Sequence, residues 1–369
     1  ILVIMAQKKK RWTKTERIFV VLLILALIFA VLNVAQAFGW LIPEQPILRI
    51  TGNTVDLDSM SLEQKIAQMV VVIGDRRLIV PWRNMQVGGI HIYALPTEHI
   101  INNTIIDFQH GMPIPFFVTA DVEGCFNPFS KFKNFTTNAE IDRLGGAFEK
   151  GFFEGAYLKE LGVNFNFAPV VDLDDQIWKC RSFPGDETKI SELAESYILG
   201  LQAQGVLGNL KHYPGKTLVV KDPHKNIVNA EISEQDLFPY HYLLERGDAK
   251  TVMVSHLITT GSVDSKGLPS VVSPTVIQNI KDNYPDVVIV SDEIHMLGLK
   301  NFYATVDDMY IGVFKAGNDI ILNFDRDPNE VYRMVQIIKD AVIRGVIEEQ
   351  QIDDSVEKIL KLKGFDVVR

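Results

Sequence analysis

The sequence KHYPG at residues 211–215 decides the fold, because a short apolar run gives way there to ionisable side chains. Gly208–Leu210 leads directly into Lys211 and His212. In parallel α/β barrels the active site lies at the carboxyl ends of the strands, where polar residues follow each strand. The stretch therefore predicts a buried parallel strand that ends on a functional face.

Seven further runs have the same strand character. All eight are short, rich in Val, Ile and Phe, and nearly continuously apolar, as parallel strands covered on both faces are. They are Met69–Ile73, Val87–Tyr93, Phe116–Ala120, Asn164–Val170, Gly208–His212, Thr251–His256, Val287–Ser291 and Asp319–Phe324. The clearest predicted helices between them are Asn138–Leu161, Ser191–Gln204, Ser233–Arg246, Ser273–Asn283 and Asn329–Arg344. This alternation predicts an α/β fold, a (β/α)8 TIM-type barrel over residues 59–369, with an open doubly wound sheet as the alternative.

Ionisable residues follow five of the predicted strands. They are Asp121 and Glu123, Asp172, Lys211 and His212, His256, and Asp292 and Glu293. A single acid at a strand end is usually a helix cap or a turn former. Five such ends on one face of a barrel instead predict a catalytic or binding site.

The charge distribution separates the first residues of the chain from the rest. Residues 1–17 hold six Lys or Arg and one Glu, a net charge of +5, while the whole chain of 369 residues carries −9. The remaining residues therefore carry −14. Because nucleic-acid binding needs a basic surface, this acidic body argues against a nucleic-acid partner.

Residues 18–42 contain no charged side chain and are long enough to span a bilayer as a helix. Basic residues before this segment and Trp40 within it favour a membrane anchor with residues 1–17 as a cytoplasmic tail. The alternative is a cleaved signal peptide with Ala35-Gln36-Ala37 as its cleavage site, and so a secreted protein. Both interpretations place the body outside the cytoplasm. Residues 43–58, with Pro43, Pro46 and Gly52, are predicted to form a linker.

Several motifs of the body resemble those of glycoside hydrolase family 3. Beside KHYPG, they are SLEQKIAQM at residues 61–69, VGGI at 87–90, LGVN at 161–164 and AGND at 316–319. The resemblance is to the short, single-domain β-N-acetylhexosaminidase type. It implies a retaining exo-glycosidase that acts on terminal β-linked N-acetylglucosamine, with cell-wall glycans as the expected substrate and with no metal or other cofactor.

The resemblance also implies catalytic roles. Asp292, in the stretch SDEIHM at residues 291–296, matches the nucleophile of the family and follows an apolar strand. A retaining glycosidase needs such a carboxylate to form a glycosyl-enzyme ester. His224 with Asp222 matches the acid/base pair, in which the imidazole exchanges the proton and the carboxylate orients it.

Five further residues match sugar-binding or substrate-facing positions of the family. They are Asp121 in DVEG at 121–124, Asp172 in APVVD at 168–172, Arg181 in RSF at 181–183, and Lys211 and His212 in KHYPG. Taken singly, Lys211 could be a surface charge and Arg181 part of a salt bridge across the barrel face.

Three loops depart from the family pattern. KTLV stands at residues 216–219 where the family has HGDT, GCFN at 124–127 where it has GGRV, and Asp222-Pro223-His224 where it has Asp-Ser-His. Two alternatives to the hexosaminidase function therefore stay open. One is a β-glucosidase-like exo-glycosidase, and the other is a degenerate barrel that binds glycans without cleaving them.

Cys125 and Cys180 are the two cysteines of the chain. Each follows a predicted strand shortly after a predicted site residue, so their loops are expected on the same barrel face. A disulfide between them would persist outside the cytoplasm. The alternative is two unrelated thiols, because sequence does not fix the Cα separation that a disulfide requires.

Overall fold

The computed structural model describes residues 13–15, 19–24, 47–144, 146–174, 177–178, 180–215, 221–222 and 225–369, the side chains of 142–144 excepted. The chain divides into two compact units, Ile1–Ile47 and Leu48–Arg369. In the first unit, Phe19–Ile24 is helical and most of its apolar side chains are exposed. No helix within the described ranges is long and apolar enough to cross a bilayer. Most of the predicted anchor, residues 25–42, lies outside the described residues.

The second unit consists of short strands alternating with helices. Its strands are β1 Ile50–Thr51, β2 Thr54–Asp56, β3 Val70–Ile73, β4 Gly89–His91, β5 Phe117–Ala120, β6 Phe165–Asn166, β7 Leu207–Gly208, β8 Leu210–Tyr213, β9 Asn229–Ile232, β10 Thr251–Val254, β11 Ile258–Gly261, β12 Val288–Ser291, β13 Ile321–Leu322 and β14 Asp366–Val368. Its helices are α1 Leu62–Gln68, α2 Ile79–Met85, α3 Glu98–Gln109, α4 Asn138–Leu144, α5 Ala147–Leu161, α6 Glu187–Ala203, α7 Glu234–Glu245, α8 Pro274–Asn283, α9 Leu297–Lys300, α10 Val306–Ala316, α11 Pro328–Ile343 and α12 Glu349–Leu362. Three single 3₁₀ turns lie at Leu57–Ser59, Arg76–Leu78 and Ser270–Val272.

Parallel pairing closes the strands into a TIM-like barrel. One sheet has the order β13-β3-β4-β5-β6-β7, and a second has the order β12-β10-β8. β7 continues into β8 after one residue, and a parallel bridge between Val290 and Ile320 joins the two sheets on the other side. The predicted (β/α)8 barrel is thus confirmed as a TIM-like α/β barrel, with a strand at each of the eight predicted positions.

Two glycines of the VGGI motif allow this close packing. A Cβ at Gly88 would lie 1.8 Å from the carbonyl oxygen of Gln68, and one at Gly89 would lie 2.8 Å from that of Phe117. Because both clashes are with backbone, a larger residue would push against the end of α1 at position 88 and against β5 at position 89. The helix starts follow local rules as well: Ser233 and Ser273 cap α7 and α8 by accepting hydrogen bonds from backbone N–H groups.

Two predictions about the elements were wrong. Residues 138–161 do not form one helix but two, α4 and α5, and the break lies at Gly146, whose φ of 90° is left-handed. The predicted linker 43–58 is too long, because β1 and β2 pair with each other and β2 pairs with β14. The barrel unit therefore begins at Leu48. Its strand β2 is held in place by pairing with β14, at residues 366–368.

Candidate active site

A cavity of about 510 Å³ opens at the carboxyl end of the barrel strands. The described residues that line it come from strand ends and the loops after them: Tyr93, Asp121, Glu123, Cys125, Phe126, Phe167, Trp178, Arg181, Lys211, His212, Met253, Asp292, Glu293, Met296, Leu322 and Phe324. Five predicted site residues are in this set: Asp121, Arg181, Lys211, His212 and Asp292. Strands far apart in the sequence therefore bring them to one cavity.

Lys211 stands at the centre of a buried charge array. Its Nζ lies 2.7 Å from Asp121 Oδ1 and 3.3 Å from Glu123 Oε2. Arg181 donates two hydrogen bonds to the same Glu123 oxygen, at 2.9 Å from Nε and 2.7 Å from Nη2. Lys211 is thus not a surface charge, and Arg181 does form the salt bridge across the barrel face, with Glu123, which Lys211 shares.

Glu123 was noted as an ionisable residue after a predicted strand, in the DVEG motif, but no role in the site was assigned to it. Side chains two residues apart along an extended chain point to the same side, so Asp121 and Glu123 face the cavity together. That period of two was the signal that would have found Glu123. The aromatic residues of the wall, such as Tyr93 and Phe126, carried no comparable signal because they stand in separate loops.

Electrostatics keep this array charged. Burial disfavours the ionised form of Asp121, but Lys211 and His91 outweigh burial and hold the pKa of Asp121 below its usual value. Burial likewise disfavours the ammonium of Lys211, and here Asp121 and Glu123 raise the pKa of Lys211 instead. Fixed, desolvated charges of this kind suit the recognition of sugar hydroxyls, which donate to carboxylates and accept from ammonium groups.

The Asp172 carboxylate orients His212 through two hydrogen bonds. Its Nδ1 lies 2.8 Å from Asp172 Oδ2, and its backbone N–H donates to Asp172 Oδ1 at 3.1 Å. Asp172 is almost fully buried and is not among the described residues of the cavity wall. With Asp172 accepting from Nδ1–H, Nε2 is left toward Arg181, 3.5 Å from its Nη2.

The predicted nucleophile Asp292 follows β12 at the cavity mouth. Its backbone N–H donates to Val254 O at 3.1 Å, and its Oδ1 accepts from the backbone N–H of Glu293 at 2.9 Å. The Glu293 side chain accepts from the backbone N–H groups of His295 and Phe324 at 3.0 and 3.2 Å. Burial raises the pKa of Glu293 to about 7. The segment that carries Asp292 is thus tied to β10 and to the end of β13.

The predicted acid/base pair is not assembled in the described part of the molecule. His224 lies outside the described residues, as do residues 216–220. Asp222 is described, and its Oδ2 lies 3.7 Å from Lys225 Nζ. Asp222 is not among the described residues that line the cavity. The roles of Asp222 and His224 therefore stay predictions.

The predicted disulfide between Cys125 and Cys180 is present, with a Cα–Cα distance of 5.5 Å. The Cys125 N–H also donates to Cys180 O at 3.1 Å. Gly124 beside the bridge has a φ of 57°, and a Cβ there would lie 2.3 Å from that same oxygen. The bridge joins the loop that carries Glu123 to the loop that carries Arg181.

No group of three or more His, Cys, Asp or Glu side chains in the described ranges could hold a metal ion.

Comparison with known proteins identifies relatives of the barrel. Residues 61–362 match the profile of the glycosyl hydrolase family 3 N-terminal domain. The β-hexosaminidase LpqI of Mycobacterium tuberculosis is 26% identical over 332 residues, which cover 83% of each chain. A solved structure of M. tuberculosis LpqI superposes with a TM-score of 0.77 at 25% identity and covers 87% of this chain and 99% of that one. A β-N-acetylglucosaminidase from Paenibacillus sp. str. FPU-7 gives a TM-score of 0.73 at 26% identity, over 83% of this chain and 62% of that one.

Proposed function

The chain belongs to glycosyl hydrolase family 3, and we propose that this glycoside hydrolase is a retaining exo-enzyme that releases terminal β-linked N-acetylglucosamine. The observation that carries the proposal is the shared cavity: the charge array of Asp121, Glu123, Arg181 and Lys211 opens onto the same space as Asp292. The array would bind the hydroxyls of the terminal sugar while Asp292 attacks its anomeric carbon. The names of the relatives, β-hexosaminidase and β-N-acetylglucosaminidase, support the choice of sugar.

The reaction would take two steps. In the first, a carboxylate oxygen of Asp292 bonds to the anomeric carbon, the glycosidic C–O bond breaks, and the leaving oxygen takes a proton from protonated His224. In the second, water attacks the anomeric carbon, its proton returns to His224, and Asp292 leaves as a carboxylate. Asp222 would orient the imidazole, and the sugar would keep its β configuration.

One assay separates this proposal from its alternatives. Turnover of an aryl β-N-acetylglucosaminide well above that of the matching aryl β-glucoside would support it. The reverse preference would favour the β-glucosidase-like function. Binding of N-acetylglucosamine without turnover of either substrate would favour the glycan-binding barrel, to which the altered residues 216–219 point.

The His224 role has its own test. A general acid matters most where the leaving oxygen needs a proton, so His224→Ala should slow substrates with poor leaving groups more than activated aryl glycosides. Equal losses on both substrates would contradict the acid/base role and indicate a structural one.

We further propose an extracytoplasmic body that acts on cell-wall glycans and is held to the membrane by residues 18–42. The Cys125–Cys180 disulfide supports this location, since such bonds persist in oxidising compartments. Thiol labelling of the unreduced, denatured protein isolated from its host should find no reactive thiol. Two reactive thiols would contradict an oxidising location.

A further inference from the structure

A series of hydrogen bonds connects helices α5 and α6 to the backbone of Val122, in the loop that lines the cavity. Val122 stands between Asp121 and Glu123, and its own side chain is buried. Its N–H donates to Asn166 Oδ1 at 2.9 Å, and its C=O accepts from Asn166 Nδ2 at 2.9 Å. One amide side chain at the end of β6 therefore fixes both polar groups of the Val122 backbone.

Asn166 is in turn held by Tyr197 on α6. The second hydrogen of Asn166 Nδ2 is donated to Tyr197 Oη at 3.1 Å. The Tyr197 hydroxyl donates its own hydrogen to Glu154 Oε2 at 2.6 Å. Val122 thus sets the direction of the Asn166 amide. Glu154 orients the Tyr197 hydroxyl, which also lies 3.5 Å from the Val122 carbonyl oxygen.

Glu154 is a carboxylate buried far from solvent, with about 1% of its surface exposed. Burial raises the pKa of Glu154, while Lys150 and Tyr197 act against that rise. Lys150 pairs with Glu154 within α5, and its Nζ also donates to the carbonyl oxygen of Thr136 at 2.7 Å. Burying such a pair is expensive, and a hydrophobic replacement is often as stable, so the pair needs a reason beyond stability.

We propose that Glu154 and Tyr197 are positioning residues for sugar binding, acting through Asn166 on the backbone of Val122. None of the three lines the cavity among the described residues. Their effect would be to hold Asp121 and Glu123 at the spacing that lets Lys211 reach both carboxylates. The expected change in KM rests on the proposed function. The expected change in hydrogen–deuterium exchange at Val122 does not.

The test is Tyr197→Phe, which removes the hydroxyl and keeps the ring. The matched control is Tyr157→Phe: Tyr157 lies on α5, the helix that carries Glu154, is also buried, and donates to Glu98 Oε1 at 2.7 Å, away from residues 121–124. On the proposed function, sugar hydroxyls would contact Asp121 and Glu123 in the ground and transition states alike. Tyr197→Phe should therefore raise KM about 3- to 10-fold, with kcat changed less than about twofold. Tyr157→Phe should leave KM unchanged.

Hydrogen–deuterium exchange of the peptide that contains Val122 gives the second readout, which needs no activity. Exchange there should be faster in Tyr197→Phe and unchanged in Tyr157→Phe. Glu154→Leu, which removes the acceptor of the Tyr197 hydroxyl, should reproduce both effects, and it replaces Tyr197→Phe if that variant does not fold. Unchanged exchange overturns the proposal, and so does faster exchange with an unchanged KM. A wild-type protein that neither binds nor cleaves N-acetylglucosaminides contradicts the proposed function instead, and the exchange result then decides on the positioning role alone.

Discussion

The barrel holds a cluster of partly buried polar and charged side chains at each end, and the two clusters border different cavities. The carboxyl-end cluster is Asp121, Glu123, Arg181 and Lys211. The amino-end cluster is Asp319, Ser355 and Lys358. Asp319, just before β13, accepts from Ser355 Oγ at 2.7 Å and from the Ile289 N–H at 2.8 Å, with Lys358 Nζ at 3.7 Å.

Burial acts on both clusters, but with opposite outcomes. Burial raises the pKa of Asp319, and Lys358 does not reverse it. At the carboxyl end the cations do reverse the effect of burial, and the pKa of Asp121 is lowered. The larger cavity, about 950 Å³, nevertheless borders Asp319 at the amino end. Cavity size therefore does not distinguish the proposed active site from the amino-end cavity, whereas the pKa of the buried aspartate shifts in opposite directions at the two ends.

The largest effect should come from the predicted nucleophile beside the carboxyl-end cluster. Asp292→Ala should lower kcat by about 10³-fold or more, because no glycosyl-enzyme ester can form. The measurement is turnover of an aryl β-N-acetylglucosaminide, with thermal unfolding as the check on folding. A variant that keeps more than about a tenth of the activity would lose under roughly 1.4 kcal/mol of barrier, and Asp292 would not be the nucleophile.

A second pair of variants compares the two clusters directly. Lys211→Met should lower kcat/KM about 100-fold, because it removes the cation that Asp121 and Glu123 share. Lys358→Met removes the cation of the amino-end cluster and should leave kcat/KM within about twofold of wild type. If both variants lose activity equally, the distinction between the two ends does not hold.

The carboxyl-end cluster shows which parts of a site the sequence predicts. Asp121, Lys211 and Asp292 each follow a run of buried residues, so a local pattern was enough to find them. The pairing of Glu123 with Arg181 spans 58 residues, and the hold of Asn166 on Val122 spans 44. No local pattern encodes such partners, because loops of irregular length bring them together.

For the fold as well, the sequence predicted the elements that have a local pattern and missed those that depend on a distant partner. The eight strand positions were found because continuous apolar runs bounded by polar residues are local, although several strands are shorter than the runs. β1, β2 and β14 were missed because each has only two or three residues and the decisive partner stands at the other end of the chain. The break between α4 and α5 was missed although the sequence carries the pair Gly145-Gly146, which favours a turn.

A substitution in the amino-end cluster should change the stability of the protein rather than its activity. Asp319→Ala removes the acceptor of Ser355 and Ile289 and leaves Lys358 without its carboxylate, so the free energy of unfolding should fall by about 3 kcal/mol. Urea denaturation measures it, and kcat/KM at a temperature well below unfolding should stay within about twofold. Lost activity with unchanged stability would place a functional site at the amino end and contradict the comparison.

Glu293 differs from Asp121, although both line the cavity at the carboxyl end. No nearby cation in the described part of the chain offsets the effect of burial on the Glu293 carboxyl. Its pKa is raised to about 7, chiefly by burial, so the folded state binds its proton more tightly than the unfolded state does. The contribution of Glu293 to stability is therefore present below its unfolded pKa and is lost as the pH rises through about 7.

Glu293→Gln should remove that loss while keeping the acceptor for the His295 and Phe324 N–H groups. Relative to wild type, the variant should gain about 2 kcal/mol of unfolding free energy at pH 8 compared with pH 4. Glu330→Gln is the control of opposite sign: a hydrogen bond from Arg333 lowers the pKa of Glu330, so this variant should lose stability at pH 8 relative to pH 4. Urea denaturation of the three proteins at both pH values measures the differences. The same pH response in Glu293→Gln and wild type would mean that Glu293 is already ionised at neutral pH, and that the carboxyl end compensates all of its buried acids.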